Sequence, residues 1–377
     1  MSLPSTIPLF APDFGPEEDR EVLEVLHAGW IAMGPKVEAF EKCFADFVGA
    51  PHAVAVNSAT AALHLANVLL GLRPGDEVIV PSLTFAATVN AVRFVGATPV
   101  FADVSGPDDW TIGATEVARR MTRRTRAVVV MHYAGYACDM EGILAVCKDA
   151  RVPVVEDACH GLGGTVAGRS MGVLGDLGCF SFYSNKVMTT GEGGMLVTAD
   201  PDRAKRAREL RSHGMSATSI DRMRGAMGYE ISELGWNYRL DDLRAAVGLA
   251  QLRRLPQALA RRRALVERYR ERLQGVEGIR FPQHGGRGTP ACYLVPILIE
   301  RGERDKIRAA MAEQGVQTSL HYPPVHAFAF YRDLAATLPQ TEWIAARTLT
   351  LPLYPSLTEA QVDRVCTVLR QAIACAA

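Results

Sequence analysis

The chain has 377 residues, 48% of them apolar and 22% charged, enough for one large hydrophobic core and a second, smaller one. Lysine plus arginine and aspartate plus glutamate each number 41, so the formal charge is zero and no net field favours nucleic acid or an anionic membrane. The eight cysteines form no Cys-x-x-Cys pair and the histidines lack zinc-site spacing, which predicts buried thiols and no metal. Met1 to Pro16 holds no basic-then-apolar leader and no run reaches membrane-span length, so a cytoplasmic protein with small-molecule partners is expected.

In chain order, Glu17 to His27 has helical spacing, Trp30-Ile31-Ala32-Met33-Gly34-Pro35 interrupts it, and Lys36 to Phe47 resumes as an amphipathic helix. Ala53 to Val56 predicts a short strand, followed by Asn57-Ser58-Ala59-Thr60 at the start of a helix through Leu72. Hydroxyl residues there cap free N–H groups, and the same N–H groups with the helix dipole can hold an anion, although such caps commonly bind nothing. Strands at Glu77 to Val80, Thr98 to Val104, Ala127 to His132 and Val152 to Glu156 then alternate with helices from Ala86, Ala114 and Met140. That rhythm predicts a mostly parallel mixed sheet covered on both faces, with ligands at the strand ends.

Glu156 and Asp157 close an apolar strand, a costly place for two acids unless a cation or several donors meet them; an Asx turn is the other reading of Asp157. Next, Phe180-Ser181-Phe182-Tyr183-Ser184-Asn185-Lys186 runs into Gly191-Glu192-Gly193-Gly194 and a second apolar strand. Lysines stand only at 36, 42, 148, 186, 205 and 306, and one between two strands suggests amine chemistry. Gly214 to Glu233, long and irregular, predicts an active-site or interface loop. A long helix from Leu240, broken at Pro256, leads to a C-terminal part with strands at Cys292 to Ile299 and Val316 to Leu320. The expected division is a large domain, 1–250, and a small α+β domain, 251–377, with the His321-to-His326 loop near the cleft between them.

A lysine amine, a counter-acid and an anion-binding helix start together supply what pyridoxal phosphate needs. The segments Ser58 to His64, Gly75 to Ser82, Glu156 to His160 and Phe180 to Gly194 resemble the DegT/DnrJ/StrS nucleotide-sugar aminotransferases, from about Trp30 to Pro355. The resemblance implies an aspartate-aminotransferase-like α/β fold, that of fold-type-I pyridoxal phosphate enzymes, and a homodimer with shared sites. It implies that Lys186 forms the Schiff base and shuttles the proton, that Asp157 holds the pyridine nitrogen, and that His160 stands by the phenolic oxygen. Ser58, Ala59, Thr60 and Ser181 would take the phosphate, Phe85 would stack on the ring although alone it reads as core, and Asn237 would reach the neighbouring subunit's phosphate.

Gly34, Pro35, Tyr183, Arg239, His321, Tyr322 and His326 are the candidates for the sugar-nucleotide site. The implied reaction is ping-pong transfer of the amino group of L-glutamate, leaving 2-oxoglutarate, to C-4 of a UDP- or dTDP-linked 4-keto-6-deoxyhexose or 4-keto-pentose. Amination of a scyllo-inosose-type keto-cyclitol and a non-catalytic regulator that binds pyridoxal phosphate are the alternatives. A sugar 3-dehydratase of this family would carry histidine in place of Lys186.

Overall fold

Apolar runs rich in β-branched residues form most strands of two main sheets, and a short two-stranded ribbon stands apart from them. A computed structural model gives the structure for residues 6–217, 221, 225–334 and 336–376. Its strands are β1 (His52–Val56), β2 (Glu77–Pro81), β3 (Thr98–Ala102), β4 (Thr125–Met131), β5 (Val154–Asp157), β6 (Thr165–Val166), β7 (Arg169–Ser170), β8 (Leu177–Ser181), β9 (Gly194–Thr198), β10 (Ile279–Arg280), β11 (Val295–Ile299) and β12 (Thr348–Leu351).

Seven of them make one sheet in the order β1-β9-β8-β5-β4-β2-β3, parallel throughout except that β9 runs antiparallel to both its neighbours. Val54 and Val56 face one helical layer with the helix Ala59–Leu69, whereas Ala53 and Ala55 face the other with the helix Pro35–Val48. Burial on both faces is why these strands are apolar without alternation. The smaller sheet, β10-β11-β12, is antiparallel and packs on the helix Glu359–Ala376 through Val362, Val365 and Leu369.

Three sequence expectations differ from the structure. The helix Asp242–Leu273 continues through Pro256, 32 residues long. Proline removes one rung of the hydrogen-bond ladder, a cost of about 3 kcal/mol in a helix interior, and the buried Leu252, Leu255 and Leu259 around it offset the loss. Along it, Leu249 to Leu259 pack in the core of the large sheet and Leu265 to Leu273 in that of the small one. Val316 to Leu320 makes two isolated bridges, to Ile7 and Thr350, rather than a strand, because successive residues meet different partners. Cys292 to Leu294 stays outside β11, since Cys292 takes a left-handed conformation with φ 53°.

The Gly214-to-Glu233 excursion lies partly outside the described residues. Its base is held by a Met215–Ile231 bridge and by Ser216 N–H donating to the carbonyl of Glu230. Among the described residues no helix is long and apolar enough to cross a membrane, and no cluster of His, Cys, Asp and Glu is arranged to hold a metal.

Candidate active site

Alternation along β5 sends its two terminal acids to opposite sides. Glu156, fully buried, accepts N–H groups from Gly172, Leu174 and Gly175 and meets His132 Nε2 at 2.9 Å. Cys138 N–H donates to His132 Nδ1, so that imidazole carries its proton on Nε2 and gives it to Glu156. This acid anchors the 172–175 turn. Asp157, 3% exposed, points instead into a cavity of about 430 Å³ at the carboxyl ends of the strands. Thr88 Oγ1 donates to it at 2.7 Å and Cys159 N–H at 3.1 Å, yet among the described residues no cation pairs with it. A buried carboxylate held by two neutral donors is poised for a cationic N–H from a ligand.

Lys186 enters the same cavity from the turn after β8, where its N–H closes on the carbonyl of Tyr183 and the flanking Phe182, Val187 and Met188 are buried. Apolar neighbours fix the backbone while the amine stays free to face the cavity. Tyr293 Oη lies 3.3 Å from Nζ, and its ring centroid 4.4 Å away.

The third wall is the start of the helix Ala59–Leu69. Ser58 caps it, its Oγ accepting the N–H of Ala61 at 3.2 Å, and first-turn N–H groups such as those of Ala59 and Thr60 have no partner inside a helix. Ser58, Ala59, Thr60 and Ser181 all line the cavity. Gly194 of β9 lies so close beneath that a Cβ there would stand 2.5 Å from the Ser58 carbonyl carbon and 2.6 Å from Ala59 N. Gly194→Ala must therefore displace the helix start, at about 1–3 kcal/mol for overpacking. The expected results are a lower unfolding midpoint for the cofactor-free protein and loss of pyridoxal phosphate on dialysis; unchanged retention would contradict this role for the cradle.

Phe85, the residue before the helix Ala86–Phe94, lines the cavity and is 59% exposed. A core role does not explain an aromatic face left that open. His160 accepts the N–H of Ala134 at Nδ1 and meets Tyr322 Oη at 3.0 Å through Nε2. Burial, with the charge of Lys186 and then His321, holds His160 well below the usual imidazole range, so the ring is neutral with its proton on Nε2. Burial and Lys186 likewise push His321 down to about 4. Burial, reinforced by Asp157, keeps the Cys159 thiol well above its usual range and hence protonated.

Of the other sequence candidates, Tyr183, His321 and Tyr322 line the cavity. Gly34 and Pro35 do not: they begin the helix Pro35–Val48, packed against Trp30 and Asp242, whose carboxylate accepts the N–H groups of Lys36 and Val37. Nor does His326, which bonds Ser82 Oγ at 2.7 Å and Glu342 at 3.3 Å, so both ring nitrogens are engaged. Arg239 bridges to Val56 at the end of β1, and Asn237, exposed, bridges to Ser212, both outside this chain's own cavity. Tyr293, Asn185 and Thr88 were not singled out by sequence, and only Thr88 carries a local signal, one helical turn after Thr84.

The donor set fits pyridoxal phosphate: an amine, a buried carboxylate lacking a cation, and helix N–H groups beside a glycine with no room for a side chain. The family model for DegT/DnrJ/EryC1/StrS aminotransferases matches residues 12–370. The spore coat polysaccharide biosynthesis protein SpsC of Bacillus subtilis (strain 168) is 41% identical, over 97% of each chain. Among solved structures, the pyridoxal phosphate form of the sugar aminotransferase Spr1654 of Streptococcus pneumoniae, described as putative, superposes with a TM-score of 0.93 at 29% identity, over 99% of this chain and 100% of the other. DesI, solved in the presence of its TDP-sugar product, does so with 0.89 at 33% identity, over 99% and 94%. The chain belongs to the DegT/DnrJ/EryC1/StrS aminotransferase family and is a pyridoxal-phosphate-dependent sugar aminotransferase of fold type I.

Proposed function

We propose that this enzyme moves the amino group of L-glutamate to C-4 of a UDP- or dTDP-linked 4-keto-6-deoxyhexose or 4-keto-pentose, in two alternating half-reactions. The observation that carries the reading is the cation-free carboxylate of Asp157 sharing one cavity with the amine of Lys186 and the open helix start at Ser58 to Thr60. Bound there, pyridoxal phosphate supplies a carbonyl that exchanges amines and a pyridine ring that spreads negative charge from the neighbouring carbon. Asp157 Oδ would accept a hydrogen bond from the protonated pyridine nitrogen, with Thr88 Oγ1 and Cys159 N–H keeping the carboxylate oriented. The N–H groups of Ala59 and Thr60 with the hydroxyls of Thr60 and Ser181 would hold the phosphate, Phe85 would cover the ring, and neutral His160 would stand by the phenolic oxygen. Lys186 Nζ removes and returns the proton at the carbon that carries nitrogen.

Tyr183, His321 and Tyr322, which line the cavity, are the residues assigned to the sugar. The diphosphate and base extend beyond the cavity, where Arg239 and the partner subunit's surface are available. UDP- and dTDP-linked 4-amino sugars and scyllo-inosamine, each incubated with 2-oxoglutarate, test the acceptor. Glutamate with the matching keto-sugar nucleotide, identified by mass spectrometry, is expected. Turnover of the cyclitol alone would overturn the nucleotide-sugar assignment.

We also propose that the site is completed in a homodimer by Asn237 of the neighbouring copy. Asn237 is exposed and follows an excursion in which Met227 is 102% exposed and after which Leu234 is 82% exposed, a surface suited to burial by a second copy. Mixing Lys186→Ala with Asn237→Ala protein should restore activity, because each mixed dimer then holds one site with both groups intact. Activity equal to the mean of the two parent variants would contradict a shared site.

A further inference from the structure

Among the described residues, Lys186 Nζ makes one hydrogen bond, to Tyr293 Oη at 3.3 Å. That phenol in turn donates to Asn185 Oδ1 at 3.2 Å. Because its single proton is used on Asn185, the oxygen turns a lone pair toward Nζ and can only accept from the amine. On its ring faces Tyr293 meets the Lys186 amine at 4.4 Å and the imidazole of His160 at 4.2 Å. Tyr293 therefore touches two of the groups assigned to the reaction while being buried itself.

Its own placement is closely determined. Cys292 just before it adopts φ 53°, a conformation disfavoured for any residue but glycine, and Ala291 N–H donates to the carbonyl of Gly135 at 2.9 Å. No room exists on Gly135 for a Cβ, which would lie 2.9 Å from the Ala291 side chain. Strain held this firmly beside a reactive amine is the pattern expected at a functional position. Lysine otherwise swings on a four-carbon stem, and a group that must reach one carbon loses rate when it samples many orientations.

We propose that Tyr293 is a positioning residue for the transamination: oriented by Asn185, it holds Lys186 by one N–H and so fixes the direction from which Nζ faces the cavity. The proposal rests on the aminotransferase reading for its catalytic consequence, but the contact itself exists in the cofactor-free protein.

Two readouts separate these. In cofactor-free protein, acetylation of Lys186 by limiting acetic anhydride is measured by mass spectrometry against exposed Lys148. Tyr293→Phe, which keeps the ring, and Asn185→Ala should each raise the Lys186 to Lys148 ratio several-fold, with thermal midpoints close to wild type. In the loaded enzyme each should lower kcat by about tenfold, less than the roughly hundredfold or more that a proton-transfer group contributes because Lys186 itself remains, with KM for the amino donor nearly unchanged. The double variant should lose no more than Tyr293→Phe alone, since Asn185 acts through the phenol. An unchanged labelling ratio, or losses that simply add, would overturn the proposal. Failure of the wild type to bind pyridoxal phosphate would instead strike the functional reading and leave the labelling result standing.

Discussion

Lys186→Ala should abolish turnover, by at least about a thousandfold, and should remove the visible absorption that the wild type shows with pyridoxal phosphate. Among the described residues Lys186 is the only lysine lining the cavity, and the proposed reaction gives it two tasks there: holding the cofactor carbonyl and moving the proton. Alanine leaves neither. The fold should survive, since Phe182, Val187 and Met188, not the amine, supply the buried packing of this turn. Circular dichroism and thermal unfolding of the cofactor-free variant are expected to match the wild type. The phosphate cradle at Ser58 to Thr60 remains, so weak residual cofactor binding without the visible band is the expected spectroscopic result. Turnover within about tenfold of wild type would mean that another group does the proton transfer.

Asp157→Asn should separate binding from catalysis. The two donors bond different oxygens of Asp157, Cys159 N–H to Oδ1 and Thr88 Oγ1 to Oδ2, so the amide oxygen keeps the Cys159 bond while its NH2 donates to Thr88 Oγ1, whose proton can turn to Thr84 Oγ1. Removing a buried negative charge that has no cationic partner relieves desolvation, so the cofactor-free variant should unfold at or above the wild-type midpoint. The charge matters once a protonated pyridine nitrogen faces it: a neutral amide cannot hold that proton, and the ring ceases to be a sink for electrons. A loss of about a hundredfold or more in kcat, with partial retention of cofactor, is expected. Stopped-flow measurement of each half-reaction checks it, and near-normal rates would remove the electron-sink role from Asp157.

The parts of this site legible in the sequence were those with a local physical reason. Asp157 ends an apolar strand where an acid is otherwise costly, and Lys186 sits between two strands in a chain poor in lysine. Ser58 precedes a helix and behaves as a cap, whereas Gly194 reads only as one glycine of a turn and its side-chain-excluding approach to Ser58 needs the structure. What the sequence could not reveal depends on contacts between distant segments. Tyr293 reaches Lys186 only because Cys292 turns the chain left-handed, and residue type gives no sign of that. His326 attracted attention as a proline-loop histidine, yet its nitrogens are taken by Ser82 and Glu342, 244 positions before it and 16 after. Proline at 256 predicts a broken helix from local propensity, and burial on both sides of it prevails.

The division of labour between the acids of β5 was also out of reach of pattern alone. Both were conspicuous, but only the register of the strand decides which faces the cavity. Glu156 is consumed by three backbone N–H groups and His132, while Asp157 keeps an unfilled role.

The most direct measurement is to load the protein with pyridoxal phosphate, reduce it with borohydride, digest it, and locate the covalently fixed cofactor by peptide mass spectrometry. The account predicts the modification on Lys186 and on none of Lys36, Lys42, Lys148, Lys205 or Lys306, and its absence in Lys186→Ala. A label on another lysine, or none on a protein shown to be folded, would contradict it.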